Sequence, residues 1–299
     1  MDSRLHTFIM VAKTKNYTRA AENLNLTQPA VYKQIQYLEN YYGVNLFIKE
    51  GRRLKLTDEG QLFLQYSNQI INIHEELKER LSQKDIFGEK YRIGATMTIG
   101  GYILPKIIYE YMESNKNVNV SLTINNTNII LNKLLDREIS MALIEGPFDK
   151  TKFKYRKFKD DELVLVGSTK GIISKIDEIS LDDLLKENLI LREKASGTRE
   201  IIEAILISKG YSHDVLNNHM EISSINGIKT LVEDGVGLSI LSKESIKREI
   251  KSKTIKIIPI KDISIAREFN FVYIYDKDMG FIDDFIDFSL RKEVAENDN

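Results

Sequence analysis

Cysteine is absent from this chain of 299 residues. Disulfide bonds, thiolate metal sites and cysteine-based redox sensors are therefore excluded. The four histidines are scattered, and none lies three or four residues from another, as ligands on one helix face would. The chain contains neither a Gly-x-Ser-x-Gly elbow nor a phosphate loop ending in Gly-Lys-Ser or Gly-Lys-Thr. We therefore expect no catalytic residues, no bound metal and no cofactor.

Long apolar runs are also missing. The first residues show no apolar core of the signal-peptide type, and no uninterrupted apolar stretch is long enough to span a bilayer. Apolar residues make up 42% of the chain and charged residues 29%, which is ordinary for a globular protein. We expect a cytoplasmic protein without a membrane partner, long enough for one small domain and one or two larger ones.

The first 57 residues show the spacing of three helices. An apolar stripe recurs at helical spacing from about residue 3 to residue 13. A second helix, with Thr18 as its expected N-cap, is predicted to end in a tight break at Asn25. A third helix is predicted to begin at Thr27, a good N-cap, with Pro29 in its first turn.

The third helix is predicted to have an inner and an outer side. Val31, Ile35 and Leu38 recur at the spacing that faces a core. The outer side carries side chains that can bond base edges, stack or contact phosphates, namely Gln28, Tyr32, Lys33 and Gln36. Two helices joined by a tight turn can present such a side to the DNA major groove. An ordinary three-helix cluster with a solvated face has the same spacing, so the helices alone leave both interpretations open.

A basic wing is predicted to follow the helices. Leu46-Phe47 and the run Leu54–Thr57 flank residues 49–53, which include Lys49, Arg52 and Arg53. A two-stranded wing with such a tip can approach phosphates or the minor groove. Residues 1–57 hold nine Lys or Arg and four acids, a charge of +5, whereas the whole chain carries −1. A positively charged N-terminal segment joined to a mildly acidic remainder of the chain favours the DNA-binding interpretation.

The segment from Asn16 to Gly60 contains, in order, AA-x-x-L, TQPAV, QI-x-x-LE, G-x-x-LF and L-x-LT-x-x-G. This succession resembles the winged helix-turn-helix of LysR-type transcriptional regulators, which implies double-stranded promoter DNA as a partner. The DNA-binding residues that the resemblance implies are Thr27, Gln28, Pro29, Ala30, Tyr32, Lys33, Gln36, Arg52, Arg53 and Thr57. The family usually has Ser-Arg in place of Tyr32-Lys33 and arginine in place of Lys49. Lysine keeps the charge but lacks the bidentate fork.

A long helix is predicted from Asp58 to about Lys84. Its apolar stripe consists of Leu62, Leu64, Tyr66, Ile70, Ile73, Leu77 and Leu81. Pairing with the same helix of a second subunit would cover the stripe and set the spacing of two recognition helices. The alternative is that the stripe packs within its own chain. The family resemblance favours a linker helix that forms a dimer, and it also implies a dimer of dimers. A hinge containing Gly88 is expected at Asp85–Glu89.

From Tyr91 onwards, strand-like runs alternate with amphipathic helices. This alternation predicts mainly parallel sheets covered on both faces, in two α/β lobes. The resemblance implies a two-lobed effector domain similar to type 2 periplasmic-binding proteins, in which the chain returns to its first lobe. The expected fold class is therefore α/β with an all-α N-terminal part. The expected boundaries are 1–57 for the DNA-binding domain, 58–87 for the linker, and 88–299 for the effector domain, with lobe one at about 88–162 and 267–299 and lobe two at about 163–266.

Two segments are suited to a ligand at the carboxyl ends of strands. One places Thr96, Met97 and Thr98 after the first strand, and the other places Ser196, Gly197 and Thr198 after a strand of the second lobe. Serine and threonine also serve simply as N-caps, and only the family resemblance favours an effector cleft, which Glu145 should line as well. The SGTR motif resembles the family branch tied to sulfur assimilation and carbon fixation, which implies a small oxyanion or anionic metabolite.

The preferred interpretation is an effector-responsive transcription factor that is not an enzyme and that contacts DNA, itself, its effector and RNA polymerase. In this interpretation, a ligand closes the two lobes, and this closure changes the angle between the two helix-turn-helix domains of a dimer and therefore the bend of the DNA. A ligand-independent architectural DNA binder is one alternative. A cytoplasmic solute-binding protein or enzyme with the same two-lobed body is the other.

Overall fold

A computed structural model describes residues 2–51, 53–82, 89–216, 219–261, 263–274 and 278–297. The chain forms two compact units, Met1–Ile86 with Leu135–Glu138, and Phe87–Leu134 with Ile139–Asn299. The elements of the first unit are α1 (Ser3–Thr14), α2 (Tyr17–Leu24), α3 (Gln28–Tyr42), β1 (Phe47–Glu50), β2 (Arg53–Leu56) and α4 (Asp58–Ser82).

Polar N-caps and left-handed residues set the bounds of the first helices. The Asn16 side chain accepts hydrogen bonds from the backbone N–H groups of Thr18 and Arg19, so Asn16 caps α2 and the prediction of Thr18 was wrong. Thr18 lies inside the helix, where its own amide needs the bond that Asn16 supplies. The predicted break at Asn25 is confirmed, with φ at 53°, and the Thr27 hydroxyl caps α3 through the Ala30 amide.

The three helices enclose a small apolar core. Its buried members are Phe8, Val11, Ala20, Ala21, Val31, Ile35, Leu38 and Leu46. The predicted inner side of α3 is confirmed, since Val31, Ile35 and Leu38 are all buried. The two alanines of α2 leave room for neighbouring helices to approach closely, and the Phe8 ring fills the centre against Phe47 and Phe63.

The wing is a tight antiparallel hairpin held against α3. Phe47 pairs with Leu56 and Glu50 with Arg53, around a turn in which Gly51 has φ at 59°. The Glu39 carboxylate of α3 accepts hydrogen bonds from the amides of Leu46 and Phe47, at 2.8 and 3.3 Å. These bonds fix the wing relative to the helix that precedes it.

The long helix α4 has one face on this core and one face exposed. Phe63 and Leu64 pack against the core, so the assignment of Leu64 to the exposed stripe was wrong; it lies two residues from Leu62 and therefore on another side of the helix. The exposed apolar side chains are Leu62, Tyr66, Ile70, Ile73, Leu77 and Leu81. The end predicted at Lys84 and residues 85–88 of the predicted hinge lie outside the described residues, and Glu89 begins the next strand.

The second unit is built around a mixed sheet. Its strands are β3 (Glu89–Ala95), β4 (Val118–Ile124), β5 (Met141–Ile144), β6 (Lys154–Ser168), β7 (Ile190–Leu191), β8 (Met220–Glu221), β9 (Ser239–Ser242), β10 (Ile255–Ile257) and β11 (Ile265–Tyr273). The order is β10-β6-β11-β5-β3-β4, with β9 also paired to β6. Only β3–β4, β3–β5 and β7–β8 are parallel among the strand pairs of the described residues. The prediction of mainly parallel sheets was therefore wrong, because β6 and β11 pair antiparallel to each other and to their other neighbours.

Helices cover this sheet on both faces. They are α5 (Met97–Tyr102), α6 (Leu104–Ser114), α7 (Thr127–Leu135), α8 (Leu181–Leu184), α9 (Gly197–Ser208), α10 (Ile225–Glu233), α11 (Lys247–Ser252) and α12 (Met279–Asn297). Helix α10 ends at Glu233, and Gly235, with φ at 74°, follows it before β9. No helix in the described part of the chain is long and apolar enough to cross a membrane.

The two long strands β6 and β11 run through both lobes. In the first lobe, a core that includes Ile93, Met141 and Phe269 packs against the C-terminal helix α12. In the second lobe, successive β6 residues point to opposite faces. Leu163 and Leu165 enter one core, and the valines between and after them enter another. The effector unit is thus a two-lobed α/β fold whose lobes share two strands.

Candidate functional site

The outer side of α3 is open to solvent. Thr27, Gln28, Pro29, Tyr32, Lys33 and Gln36 are exposed, and Ala30 is half-buried. Because Val31, Ile35 and Leu38 hold the inner side of the helix in the core, these outer side chains project from a rigid support. The structure thus brings the predicted α3 residues onto one exposed face.

Tyr32 and Gln36 are the side chains of this face that contact each other. Gln36 Nε2 donates to Tyr32 Oη at 3.2 Å. The Tyr32 and Tyr17 rings are in edge-to-face contact, with centroids 5.6 Å apart. Burial raises the pKa of Tyr17 to about 12, and the negative charge of Glu39 adds to the shift. Tyr17 is half-buried, and its ring supports the exposed Tyr32 ring.

The wing places one predicted arginine at the surface. Arg53 is exposed, and Lys55 forms an ion pair with Glu50 at 2.5 Å across the hairpin. Arg52 lies outside the described residues. The Thr57 hydroxyl donates to the Asn45 carbonyl at 2.6 Å and accepts from the Gly60 amide, so in this structure it caps α4.

In the second unit, a buried carboxylate lies where α5 begins. Glu145, which follows β5, accepts hydrogen bonds from the Thr98 hydroxyl at 2.8 Å and from the amides of Thr98 and Ile99 at 3.4 and 3.2 Å. Glu145 and Thr98 are both almost fully buried. Two predicted effector residues are thus bonded to each other, and the carboxylate is satisfied by the protein itself.

Arg267 of β11 joins both lobes at this point. Its Nε donates to Asp161 of β6 at 2.7 Å and its Nη1 donates to the Thr198 hydroxyl at 3.1 Å. The same Nη1 lies 3.9 Å from Glu145. Ser242 donates to the other Asp161 oxygen at 2.8 Å. Burial raises the pKa of Asp161, and the positive charge of Arg267 offsets part of that shift.

The lobes touch where two glycines meet. A Cβ atom added to Gly197 would lie 2.9 Å from the Gly146 Cα, and one added to Gly146 would lie 2.7 Å from Thr127 Oγ1. Contacts this short are possible only because both residues lack a side chain. Gly197 is the first residue of α9, which Ser196 caps through the Arg199 amide.

Three buried polar atoms in this region have no hydrogen-bond partner among the residues that the structure describes. They are Thr96 Oγ1, Thr127 Oγ1 and Arg267 Nη2. Thr96 lies directly before α5, Thr127 lies beside Gly146, and Arg267 bonds the residue after Gly197. Buried polar groups without partners are costly, and such groups mark places that water or a ligand can occupy.

Most predicted effector residues therefore meet between the lobes, although not all in the expected way. Met97 packs against the core of the second lobe, and Ser196 serves as an N-cap. Arg267, Asp161 and Thr127 were missed by sequence reasoning. Arg267 lies in the largely apolar strand β11, which is a signal that could have indicated it, whereas Asp161 lies in the charged run KFKDDE of β6 and does not stand out. No group of three or more metal-binding side chains occurs among the described residues.

An exposed helical face beside a basic wing, followed by a two-lobed domain with buried polar side chains between its lobes, is typical of a DNA-binding protein with a ligand-binding module. The model of the bacterial regulatory helix-turn-helix protein, lysR family, matches residues 3–61, and that of the LysR substrate binding domain matches residues 87–292. The chain belongs to the LysR family of transcription regulators.

Related sequences can be aligned with this chain over nearly its whole length. A probable RuBisCO transcriptional regulator of Thalassiosira pseudonana is 34% identical, over 90% of each chain. The HTH-type transcriptional activator CmpR of Synechocystis is 31% identical, over 96% of this chain and 94% of its own. The HTH-type transcriptional regulator CysL of Bacillus subtilis is 29% identical, over 90% and 89%. The predicted family is confirmed.

Solved structures share the fold. Full-length OxyR of Pseudomonas aeruginosa, in a variant form, has a TM-score of 0.62 at 19% identity, over 97% of this chain and 94% of its own. The regulatory domain of Synechocystis CcmR, solved in complex with 2-PG, has a TM-score of 0.59 at 22% identity, over 68% of this chain and 96% of its own. The chain is thus a DNA-binding transcription regulator with an effector-binding domain, and its two-lobed α/β fold is confirmed.

Proposed function

We propose that this regulator reads promoter DNA with the outer face of α3, and that a small anionic metabolite held between the lobes changes its activity at the promoter. The observation that carries the proposal is the buried polar cluster around Arg267, in which Thr96 Oγ1, Thr127 Oγ1 and Arg267 Nη2 have no hydrogen-bond partner among the described residues. An effector there would touch residues of both lobes. It would therefore favour one lobe arrangement over another.

The DNA-binding assignment rests on exposure and charge. We assign DNA contacts to Thr27, Gln28, Pro29, Ala30, Tyr32, Lys33 and Gln36 of α3 and its cap, and to Arg52, Arg53 and Thr57 of the wing region. We place the DNA-binding domain at residues 1–57, the linker at 58–87 and the effector domain at 88–299. Exposed side chains on a supported helix can reach base edges, and wing arginines suit the phosphates.

The effector assignment rests on which polar atoms remain available. Glu145 and Asp161 are already satisfied by α5 and by Arg267 with Ser242. The atoms without partners are one guanidinium donor and two hydroxyls, which suit a ligand rich in acceptor oxygens. We therefore add Arg267 and Thr127 to the effector residues proposed from the sequence: Thr96, Met97, Thr98, Glu145, Ser196, Gly197 and Thr198.

A dimer is proposed from the exposed face of α4. The apolar side chains of this face continue into a cavity of about 660 Å³, lined by residues that include Tyr37, Tyr41, Tyr42, Tyr66 and Ile70. Exposed patches of this kind mark interfaces, and the face suits the same helix of a second copy. We further propose that two dimers assemble on the promoter, contact RNA polymerase there, and act in the cytoplasm without enzymatic activity.

The first test measures DNA binding by the full-length protein. Fluorescence anisotropy with a duplex from upstream of its own gene should show tight binding that weakens steeply with salt, and weaker binding to a scrambled duplex. Equal affinity for both duplexes at every salt concentration would contradict promoter reading.

The second test measures effector binding by thermal shift. Sulfate, phosphate, bicarbonate and small dicarboxylates are added to the wild type and to the Thr98→Val and Thr198→Val variants. An anion present at about 100 times its Kd should raise the melting temperature by about 5–10 °C. Both variants should lose this shift yet keep DNA binding, whereas Thr151→Val, an exposed site on the same unit, should respond like the wild type. Unchanged shifts in both cleft variants would remove the pocket assignment.

A further inference from the structure

One pair of side chains on the outer face of α3 is held in a fixed arrangement. Gln36 Nε2 donates to Tyr32 Oη across one helical turn, at 3.2 Å. Gln28 and Lys33, which share the exposed face, form no side-chain hydrogen bond with any residue that the structure describes. The bond therefore distinguishes Gln36 from the other polar side chains of this face.

The Tyr32 ring also contacts a row of aromatic side chains. It is in edge-to-face contact with the Tyr17 ring at 5.6 Å, and the Tyr17 ring packs against Phe47 of the wing at 6.2 Å. Phe47 in turn lies 5.3 Å from Phe8, which is fully buried in the core. This row of four rings joins α3 to α2, the wing and α1. The hydroxyl that accepts from Gln36 thus belongs to a ring that is supported on one side by this row, although the Tyr32 side chain is 43% exposed.

The orientation of Gln36 has a chemical consequence. One hydrogen of Nε2 is directed to Tyr32, so the second N–H and the Oε1 acceptor of the exposed Gln36 remain available to a base. This donor-acceptor pair matches the adenine edge in the major groove, where N7 accepts and the N6 amino group donates. A glutamine held in this way also loses less rotamer freedom on binding.

We propose that Tyr32 is a positioning residue that orients the Gln36 carboxamide to read one adenine of the operator. The proposal rests on the proposed function, in which α3 lies in the major groove. In addition to the DNA contact proposed for Tyr32 above, it assigns to Tyr32 a role in sequence preference that acts through Gln36.

The experiment compares base preference rather than affinity alone. Full-length wild type, Tyr32→Phe and a matched control, Tyr109→Phe, each select from a randomised duplex library. Phenylalanine keeps the ring contact with Tyr17 and removes only the hydroxyl. The wild type should select an A·T pair at one position of each half-site. Tyr32→Phe should reduce the preference at that position by about fivefold and leave the other positions unchanged. The exposed Tyr109 of α6 lies outside α3 and its control variant should select as the wild type does.

A double-mutant cycle separates positioning from a general structural role. Gln36→Ala should abolish the preference at the same position, and adding Tyr32→Phe to it should have no further effect, because the hydroxyl would have nothing left to orient. Equal weakening on every sequence by Tyr32→Phe, or an undiminished effect in the Gln36→Ala background, would overturn the proposal. Failure of the wild type to select any sequence would instead reject the proposed function. A selected half-site with no A·T preference dependent on Gln36 would reject the inference and leave the regulator assignment intact.

Discussion

Arg267 is the residue on which the charge balance of the cleft depends. It is the guanidinium that lies against both buried carboxylates, bonded to Asp161 and 3.9 Å from Glu145. Its side chain and those of both acids are almost fully buried. A buried pair is weak evidence for stability, but a buried acid that loses its partner is strongly destabilising.

Replacement of Arg267 by methionine should therefore lower the free energy of unfolding by about 3–5 kcal/mol, because two carboxylates are left without a cation. Urea denaturation followed by circular dichroism measures this change. Arg156→Met provides the control, since Arg156 pairs with Asp287 at a half-exposed site and should cost about 1 kcal/mol or less. A similar cost for the two variants would contradict the central place of Arg267.

Asp161 gives the cleft a defined response to pH. Its pKa is raised in the folded state, so the folded protein holds this proton more tightly than the unfolded chain does. Its contribution to stability is therefore largest in acid and is lost as pH rises through the raised pKa, above the ordinary aspartate value. An Asp161→Asn variant cannot titrate here, so its stability relative to the wild type should improve from acid to neutral pH. Urea titrations at several pH values test this: a constant relative stability would show that the pKa of Asp161 is not shifted, and a fall would show that it is lowered.

At the scale of elements, the helix-turn-helix was largely predictable because its signals are local. Caps, a left-handed residue and apolar spacing all act within a few positions, and Asn25, Thr27 and Val31 behave as their chemistry dictates. The N-cap of α2 was misplaced by two residues because Thr18 and Asn16 are both good caps and only geometry decides between them. The exposed side of α4 was correct except at Leu64, where neighbouring apolar residues conceal which way the helix is turned.

The cleft was less predictable because it is assembled from distant parts of the chain. Asp161 and Arg267 are 106 positions apart and meet only because β6 and β11 pair antiparallel. Apolar periodicity identifies a strand but does not give its direction. Thr127 lies at the start of a helix and bears no motif, so its place beside Gly146 follows only from the packing of α7.

The wing should act on DNA through charge rather than sequence. Arg53→Ala should weaken binding to all duplexes about equally and reduce the slope of log affinity against log salt by about 1. Anisotropy titrations at several salt concentrations measure this slope. Lys209→Ala removes an exposed charge from the second unit and should leave the slope unchanged. A loss confined to the specific duplex would indicate that Arg53 reads bases.

At the scale of the whole molecule, two-fold symmetry follows if α4 pairs with a second copy. An aspartate at Leu77, which is 53% exposed, should then break the dimer without destabilising the monomer fold. Light scattering coupled to size exclusion measures the mass, and DNA binding should weaken because two heads no longer act together. Ile172→Asp, at an 85% exposed site of the second unit, is the control. A Leu77→Asp protein with unchanged mass would place the interface elsewhere.

Gly146 and Gly197 determine how closely the two lobes of the effector domain can approach each other. A methyl group on Gly197 would lie 2.9 Å from the Gly146 Cα, so it would force the two backbone segments apart. Gly197→Ala should therefore keep the two lobes apart without adding or removing charge. The variant should then show the promoter activity of the open form at every effector concentration. The extent of lobe closure would then depend on the absence of side chains at these two positions.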